Sequence, residues 1–336
     1  MTESDILIIG GGIAGVSVAA RLAPHARVTL IEAEAALAHH ASGRSAALFE
    51  PRYGAPAVVE LSLASSDFFH GAEGILSPRG LLMVGKPGDE AAFGAEADGM
   101  ELARITAAEA CGMVPILNPD VVTMAAYADH AWDVDTDLLM QRFARDARSH
   151  GARLLTRAAA QTITRQAGAW EVTTPQGPFR AKVLVNAAGA WVDRIAQMAG
   201  VAPLGFTPLR RSMARIPAPE GRDPARWPMI FAAGESWYMK PDAGALIVSP
   251  AEEDPAEPHD AWADDLVLAE GLARYEAFVT EPVTRLISNW AGLRTFSPDR
   301  TLVIGADAQS RPSSGSQAKA VRASRPAPPQ ASWRQT

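Results

Sequence analysis

One stretch near the start limits what this chain can become. Residues 6–9 (Ile-Leu-Ile-Ile) form a short apolar run that leads directly into Gly10-Gly11-Gly12-Ile13-Ala14-Gly15. Such a run reads as a buried parallel strand. The glycines fall at the positions of a G-x-G-x-x-G turn. Gly10 permits the bend, Gly12 lets a pyrophosphate reach the backbone, and Gly15 lets helix and strand pack closely. Ile13 and Ala14 open the following helix, whose free N–H groups and positive dipole end suit an anion. A second apolar strand over 27–31 ends at Glu32, with Ala33 after it. Glu32 follows Gly10 by about 22 residues, the spacing expected of an acid that holds an adenosine ribose. Strand, turn, helix, strand and acid together point to a dinucleotide site on a doubly wound α/β sheet. A glycine-rich turn without a ligand would not need the acid.

The rest of the composition narrows the class. With 336 residues, 48% hydrophobic and 21% charged, the chain is an ordinary globular one, long enough for two domains. A net charge of −7 weighs against nucleic-acid binding. No apolar run reaches the length of a membrane helix, and a strand begins almost at once, so neither a transmembrane segment nor a signal peptide is expected. Cys111 is the only cysteine, which excludes an internal disulfide and a cysteine-cluster metal site. It fits a reducing, cytoplasmic setting, free or at the inner face of a membrane.

Further along, His39-His40-Ala41-Ser42-Gly43-Arg44-Ser45-Ala46-Ala47 combines small residues, hydroxyls and one cation. These residues suit a loop lying along a phosphate beside a flat ring, and equally an ordinary connection. The two histidines lack a third ligand at metal-site spacing and read as loop residues. A helix is expected over 56–69, a strand over 80–84 and a capping box at Thr106-Ala107-Ala108-Glu109. The acids at 133–137 read as caps of a helix over 138–150 rather than as metal ligands. Residues 183–185 read as a buried strand that returns to the first sheet and brings Ala188, Gly189 and Trp191 near the dinucleotide. From about 203 to 284 the chain reads as a mostly antiparallel sheet with an amphipathic helix at 266–278, and 301–305 as a last strand.

These pieces resemble the D-amino-acid oxidase superfamily of FAD enzymes, most closely its D-amino-acid and D-arginine dehydrogenase branch. The likeness rests on residues 10–15, 43–47, 76–79, 133–137 and 183–191. It continues through Arg210-Arg211-Ser212, residues 235–244 and Trp290-Ala291-Gly292-Leu293-Arg294, so that it spans roughly 4–308. It implies a discontinuous FAD-binding domain (1–80, 135–203 and 285–308) and a substrate domain (81–134 and 204–284). FAD would be held by Gly10, Gly12, Ile13, Ala14, Gly15, Glu32, Ala33, Gly43, Arg44, Ser45, Ala46, Ala47, Ala188, Gly189 and Trp191. It also implies oxidation of a D-amino acid to an imino acid, which water hydrolyses to a 2-oxo acid, by hydride transfer from Cα to flavin N5, with oxygen or a quinone as electron acceptor. Arg294 would grip the substrate carboxylate, Tyr238 would donate to it, Tyr53 would line the pocket mouth, and Arg211 would be a second cation near the site. No metal is implied. Glycine, sarcosine or a 2-hydroxy acid is the alternative substrate class on the same scaffold.

Two departures inside the site point to a neutral or apolar substrate. Leu81 stands where arginine-preferring relatives place an acid, and Leu48 where they carry a polar ring. A third departure is at the end. The resembled family finishes with a turn close to Gly-Gln-Gly-Gly-x-Gly-Ile-Gln-Thr and a closing helix. Residues 309–336 contain no Leu, Ile, Phe, Met or Tyr and are expected to be disordered. Codons built across the residue boundaries of 314–326 can spell Trp-Leu-Ala-Gly-Gln-Gly-Gly-x-Gly-Ile-Gln-Thr. This implies a base lost or gained shortly before Pro312, and makes an inactive frame-shifted remnant a further reading.

Overall fold

The computed structural model describes residues 2–307 and, beyond them, the backbone of Ala320–Arg322. Strand β1 (Thr2–Ile9) lies between two parallel neighbours, Gly177–Asn186 and β2 (Val28–Ile31), with Arg153–Leu155 beyond β2. The antiparallel strands Thr162–Gln166 and Ala169–Thr174 extend the other edge. Helix α1 (Ile13–Leu22) and the helix Thr136–Ser149 cover one face through Ile8, Val16, Ala19, Leu30, Ala144 and Val185. The opposite face buries Leu7, Ile31 and Leu184 under Ile163, Trp170 and Val172. Burial on both faces is why the inner stretches of these strands, 6–9, 28–31 and 183–185, are apolar at nearly every position. Each fully buried Leu or Ile stabilises the sheet by about 1.5–3 kcal/mol.

The junction of β1 and α1 is tight. Gly10 has φ +112°, and a side chain there would meet the Ala187 carbonyl. A Cβ on Gly15 would collide with the Gly10 carbonyl oxygen. Glycine is therefore required at both positions by backbone contact alone.

A second, nine-stranded sheet is built mainly from residues after 200. In spatial order it runs Asp254–Pro255, Thr207–Pro217, Ala245–Ser249, Tyr238–Asp242, Met229–Ala232, Leu81–Gly85, Met124–Ala128 and Ala103–Ile105. Its pairings are antiparallel except that of Met229–Ala232 with Leu81–Gly85. The ninth strand, Ser288–Phe296, pairs with Thr207–Pro217 along most of its length. These residues, expected among the nucleotide-binding segments, thus lie in the second sheet. A small sheet of Leu48–Phe49, Trp132–Val134 and Leu76–Pro78 adjoins it. Asp133 is held there by Arg79 at 2.6 Å and by the buried Lys240 at 3.0 Å, which ties the small sheet to the large one.

Local expectations met the structure unevenly. The Thr106–Glu109 capping box forms, and Asp135 caps the Thr136–Ser149 helix through the Leu138 N–H. Cys111 packs beside the Leu117 carbonyl, with burial pushing its thiol up. The helix expected over 56–69 is two helices, Pro56–Ala64 and Ser66–His70. The hydroxyls of Ser65 and Ser66 bond back to the carbonyls of Leu61 and Ser62, a competition that bends helices. Of the expected strand at 301–305 only Gly305–Ala306 pairs, because Ser297 closes a turn onto Asp299 and the Thr301 carbonyl. The expectation of a disordered tail falls outside the described residues, except at Ala320–Arg322. There the backbone runs parallel to 184–186, a pairing the residue types did not suggest.

Candidate active site

The cofactor end is assembled around the C-terminal end of β1. Gly12 is the cap of α1 and offers no side chain to its N–H groups. A Cβ on Gly12 would approach only Ser42 Oγ, at 3.1 Å, so the backbone there is open. The Ile13 N–H donates to Ser42 Oγ at 2.9 Å, which draws residues 41–43 across the helix N-terminus. Glu32 accepts from the Gly11 N–H at 2.5 Å and from the Glu34 N–H at 2.8 Å. The acid therefore braces the glycine turn as well as marking the end of β2, and Ala33 beside it is exposed. Ala188 donates its N–H to Asn186 Oδ1, Gly189 turns with φ +52°, and Trp191 packs on His40 with ring centroids 4.6 Å apart.

Arg44 sits differently from its expected place along a phosphate. Its guanidinium donates to the carbonyls of His39, Ala261 and Ala291 and pairs with Asp260 at 2.5 Å. Trp290 Nε1 donates back to the Arg44 carbonyl at 3.1 Å. Arg44 is a strut between the glycine-facing loop and the second sheet. Ser45 is exposed and caps its own turn at Ala47, which has φ +52°. Ala46 is buried against Met213, Ile247, Tyr238 and Trp290. The loop thereby carries the cofactor end directly onto the residues of the second sheet.

Those residues form one polar cluster. Pairing of Leu209 with Arg294 and of Arg211 with Gly292 puts both arginines on one face of the sheet, and Gly292 leaves room beside Arg211. Arg211 is buried, donates through Nε to the Glu252 carbonyl at 2.9 Å and lies 3.5 Å from Glu253. Its charge lies 5.8 Å from the centre of the Tyr238 ring. Tyr238 donates its hydroxyl to Met213 Sδ at 3.3 Å, a weak acceptor that a carboxylate would replace. Arg294 differs from Arg211 in one respect. Among the described residues its guanidinium has a ring contact with Phe296 but no hydrogen bond or ion pair. Burial, and then the Arg211 charge, lower its pKa from the ordinary arginine value.

An acid completes the cluster. Tyr53 donates its hydroxyl to both oxygens of Glu235, at 3.1 and 3.2 Å. Burial, and then the Glu235 charge, push the Tyr53 hydroxyl well above its usual range. Burial also raises the Glu235 pKa, with Tyr53, Arg211 and Arg294 partly offsetting it. Arg294, Tyr53 and Glu235 are each half-buried. The adjoining cluster is apolar: Leu81 and Phe231 are buried in it, and Leu48, Tyr53, Met229 and Tyr238 pack against it.

The structure thus brings together the four residues singled out as Arg294, Tyr238, Tyr53 and Arg211. Ser42 and Glu235, which the sequence reading does not single out within the stretches 39–47 and 235–244, join the candidate site in the structure. Ser42 could have been found from its place in a hydroxyl-bearing loop after β2. Glu235 carried no sequence signal, since a glutamate between a glycine and a serine is unremarkable until Tyr53 is packed against it. His39 and His40 do acquire the third neighbour that spacing did not supply: Glu34 Oε1 lies 3.1 Å from His40 Nε2. Asp260, the partner of Arg44, also lies near both rings.

The chain belongs to the FAD dependent oxidoreductase (DAO) family, whose model matches residues 5–316. FAD is the cofactor of this family, and the open Gly12 backbone, the helix N-terminus and Glu32 fit its dinucleotide part. Rat mitochondrial dimethylglycine dehydrogenase is 28% identical over 42% of this chain and 17% of its own length. The tRNA 5-methylaminomethyl-2-thiouridine biosynthesis bifunctional protein MnmC of Ralstonia nicotianae is 27% identical over 90% of this chain and 49% of its own. This chain therefore spans at most about half the length of these two relatives. Among solved structures, glycine oxidase from Geobacillus kaustophilus superposes with a TM-score of 0.80 at 22% identity, covering 97% of this chain and 90% of that one. L-proline dehydrogenase from P. horikoshii gives 0.80 at 22% identity, covering 96% and 88%. At such identity these structures speak for the fold, an α/β FAD-binding sheet with a second mixed sheet.

Proposed function

We propose that this chain oxidises a small D-amino acid with a neutral or apolar side chain to its imino acid. The observation that carries the reading is the Arg294 guanidinium, which has no hydrogen bond or ion pair among the described residues and stands near Arg211 and Tyr53. A half-buried guanidinium without a protein partner is well placed to take a ligand carboxylate. In this reading Arg294 holds the carboxylate in a forked pair and Tyr238 exchanges its weak sulfur contact for the same group. Arg211, already satisfied by Glu252 and Glu253, adds charge without moving. Leu48, Leu81, Met229 and Phe231 receive the side chain and exclude water. Bound FAD supplies the two-electron acceptor. The Tyr53–Glu235 pair stands beside the arginines, where the substrate ammonium finds an acceptor in Glu235.

The relatives' names favour a second reading within the same reaction class, in which the substrate is glycine, an N-alkylated glycine or proline. Anaerobic bleaching of the FAD-loaded protein decides between them. D-leucine, D-methionine or D-phenylalanine should bleach it faster than glycine, sarcosine, proline or D-arginine. Bleaching by glycine, sarcosine or proline alone would replace the first reading with the second, and bleaching by D-arginine alone would refute both.

A further inference from the structure

We propose that Glu96 is a positioning residue for this site: its carboxylate holds the 233–235 turn and thereby sets Glu235 against Tyr53. The inference rests on the reading of the site given above. Gly234 and Glu235 are consecutive residues in the left-handed region, with φ +75° and +49°. For Glu235 that conformation is strained and persists only where its surroundings enforce it. On one side Tyr53 donates to the Glu235 carboxylate. On the other, the Gly234 N–H donates to both oxygens of Glu96, at 3.1 and 3.2 Å.

Glu96 comes from a rigid support. It lies on the helix Glu90–Gly99, which buries Phe93 and Ala97 in the same apolar cluster as Leu81, Phe231 and Ala233. Tyr53 and Tyr238 pack on that cluster too. The helix, the turn and the substrate wall therefore share one packed body, and Glu96 is its polar link to the turn. The charged groups near Glu96 are Asp89 at the head of its own helix and Glu235 on the turn; the neighbouring strand Leu81–Gly85 brings none. Burial, and then these like charges, push the Glu96 carboxyl up to about 7, with the Gly234 N–H opposing. The turn is thus held by an acid that changes charge near neutrality, beside a second acid whose position the site uses.

Glu96→Met and Glu96→Gln have nearly the same length, but only Gln retains an acceptor for the Gly234 N–H. Both are made in the full chain, and amide hydrogen exchange of the peptide covering 229–238 is followed by mass spectrometry. Glu96→Met should speed exchange at 234–236 at least about tenfold, and Glu96→Gln less than about threefold. In the FAD-loaded enzyme Glu96→Met should raise KM for the best substrate at least about fivefold with kcat changed less than twofold, and Glu96→Gln should restore KM. Equal exchange in the two variants and the parent overturns the proposal, as does equal acceleration in both variants. The exchange readout needs no substrate, so failure of the proposed reaction leaves it standing and is recognised separately.

Discussion

Replacing Arg294 by Met separates function from stability, because the two should move in opposite directions. Arg294 has no hydrogen bond or ion pair among the described residues, and burial works against its charge together with Arg211. Met keeps an unbranched apolar stem and removes the charge together with its contact over the Phe296 ring. Removing a half-buried cation whose contact among the described residues is the Phe296 ring gives up little in the ligand-free protein, so the fold should be unchanged or gain about 1 kcal/mol. For a domain of this size that corresponds to a Tm unchanged or raised by a few degrees, roughly 2–4 °C per kcal/mol. Substrate loses the partner of a desolvated carboxylate, worth about 2–5 kcal/mol. At about 1.4 kcal/mol per tenfold, kcat/KM should fall roughly 30-fold to roughly 4,000-fold for every amino acid that the parent accepts. The measurements are thermal unfolding of the ligand-free protein and anaerobic flavin reduction by a substrate series. A Tm lowered by more than about 4 °C would show that Arg294 is a structural cation, and unchanged kcat/KM would show that it does not meet the carboxylate.

Four further outcomes are expected. Gly12→Val should abolish FAD retention, and Glu32→Ala, which removes the acceptor of the Gly11 N–H and the acid expected to hold the ribose, should weaken it by about 1–3 kcal/mol; flavin titration with unchanged affinity in both variants refutes that placement. Leu81→Glu, in a buried wall, should lower Tm and shift the substrate panel towards D-arginine and D-lysine; a panel that stays apolar removes Leu81 from the pocket. For Glu96, whose folded pKa of about 7 exceeds its ordinary 4.5, the folded state binds the extra proton, so its contribution to stability declines as pH rises from about 4.5 to about 7; Tm profiles of the parent and of Glu96→Gln should diverge in that window and nowhere else. Rewriting the tail to the frame that spells Trp-Leu-Ala-Gly-Gln-Gly-Gly-x-Gly-Ile-Gln-Thr should raise flavin content on purification; equal content in the two proteins shows that the tail is dispensable, and codons unable to spell the motif refute the frame shift.

Much of the fold was legible because its signals are local. The β1–α1 turn is written in consecutive residues: an apolar run, glycines where a Cβ meets backbone, and an acid one strand later. The capping box at Thr106 and the cap at Asp135 are likewise contained within four residues. Where local signals misled, a competing local bond decided, as with the serine back-bonds that divide the 56–70 segment. Strand partners were harder to read. Residues 288–296 have the apolar content of either sheet, and only their register with 207–215 places them in the second.

The site divides along the same line. The sequence by itself determined which residue types could bind a dinucleotide and a carboxylate, because glycine backbone, helix dipole and guanidinium carry that chemistry wherever they stand. Tertiary structure alone decided which of them are free to act. Arg44, Arg211 and Arg294 are equivalent in sequence. Packing gives the first to Asp260 and three carbonyls and the second to Glu252 and Glu253, and leaves the third without a partner among the described residues. Glu235 joins Tyr53 across 182 residues of chain. No periodicity reports such a contact, because it joins a turn between two strands of the second sheet to a loop far away in the chain.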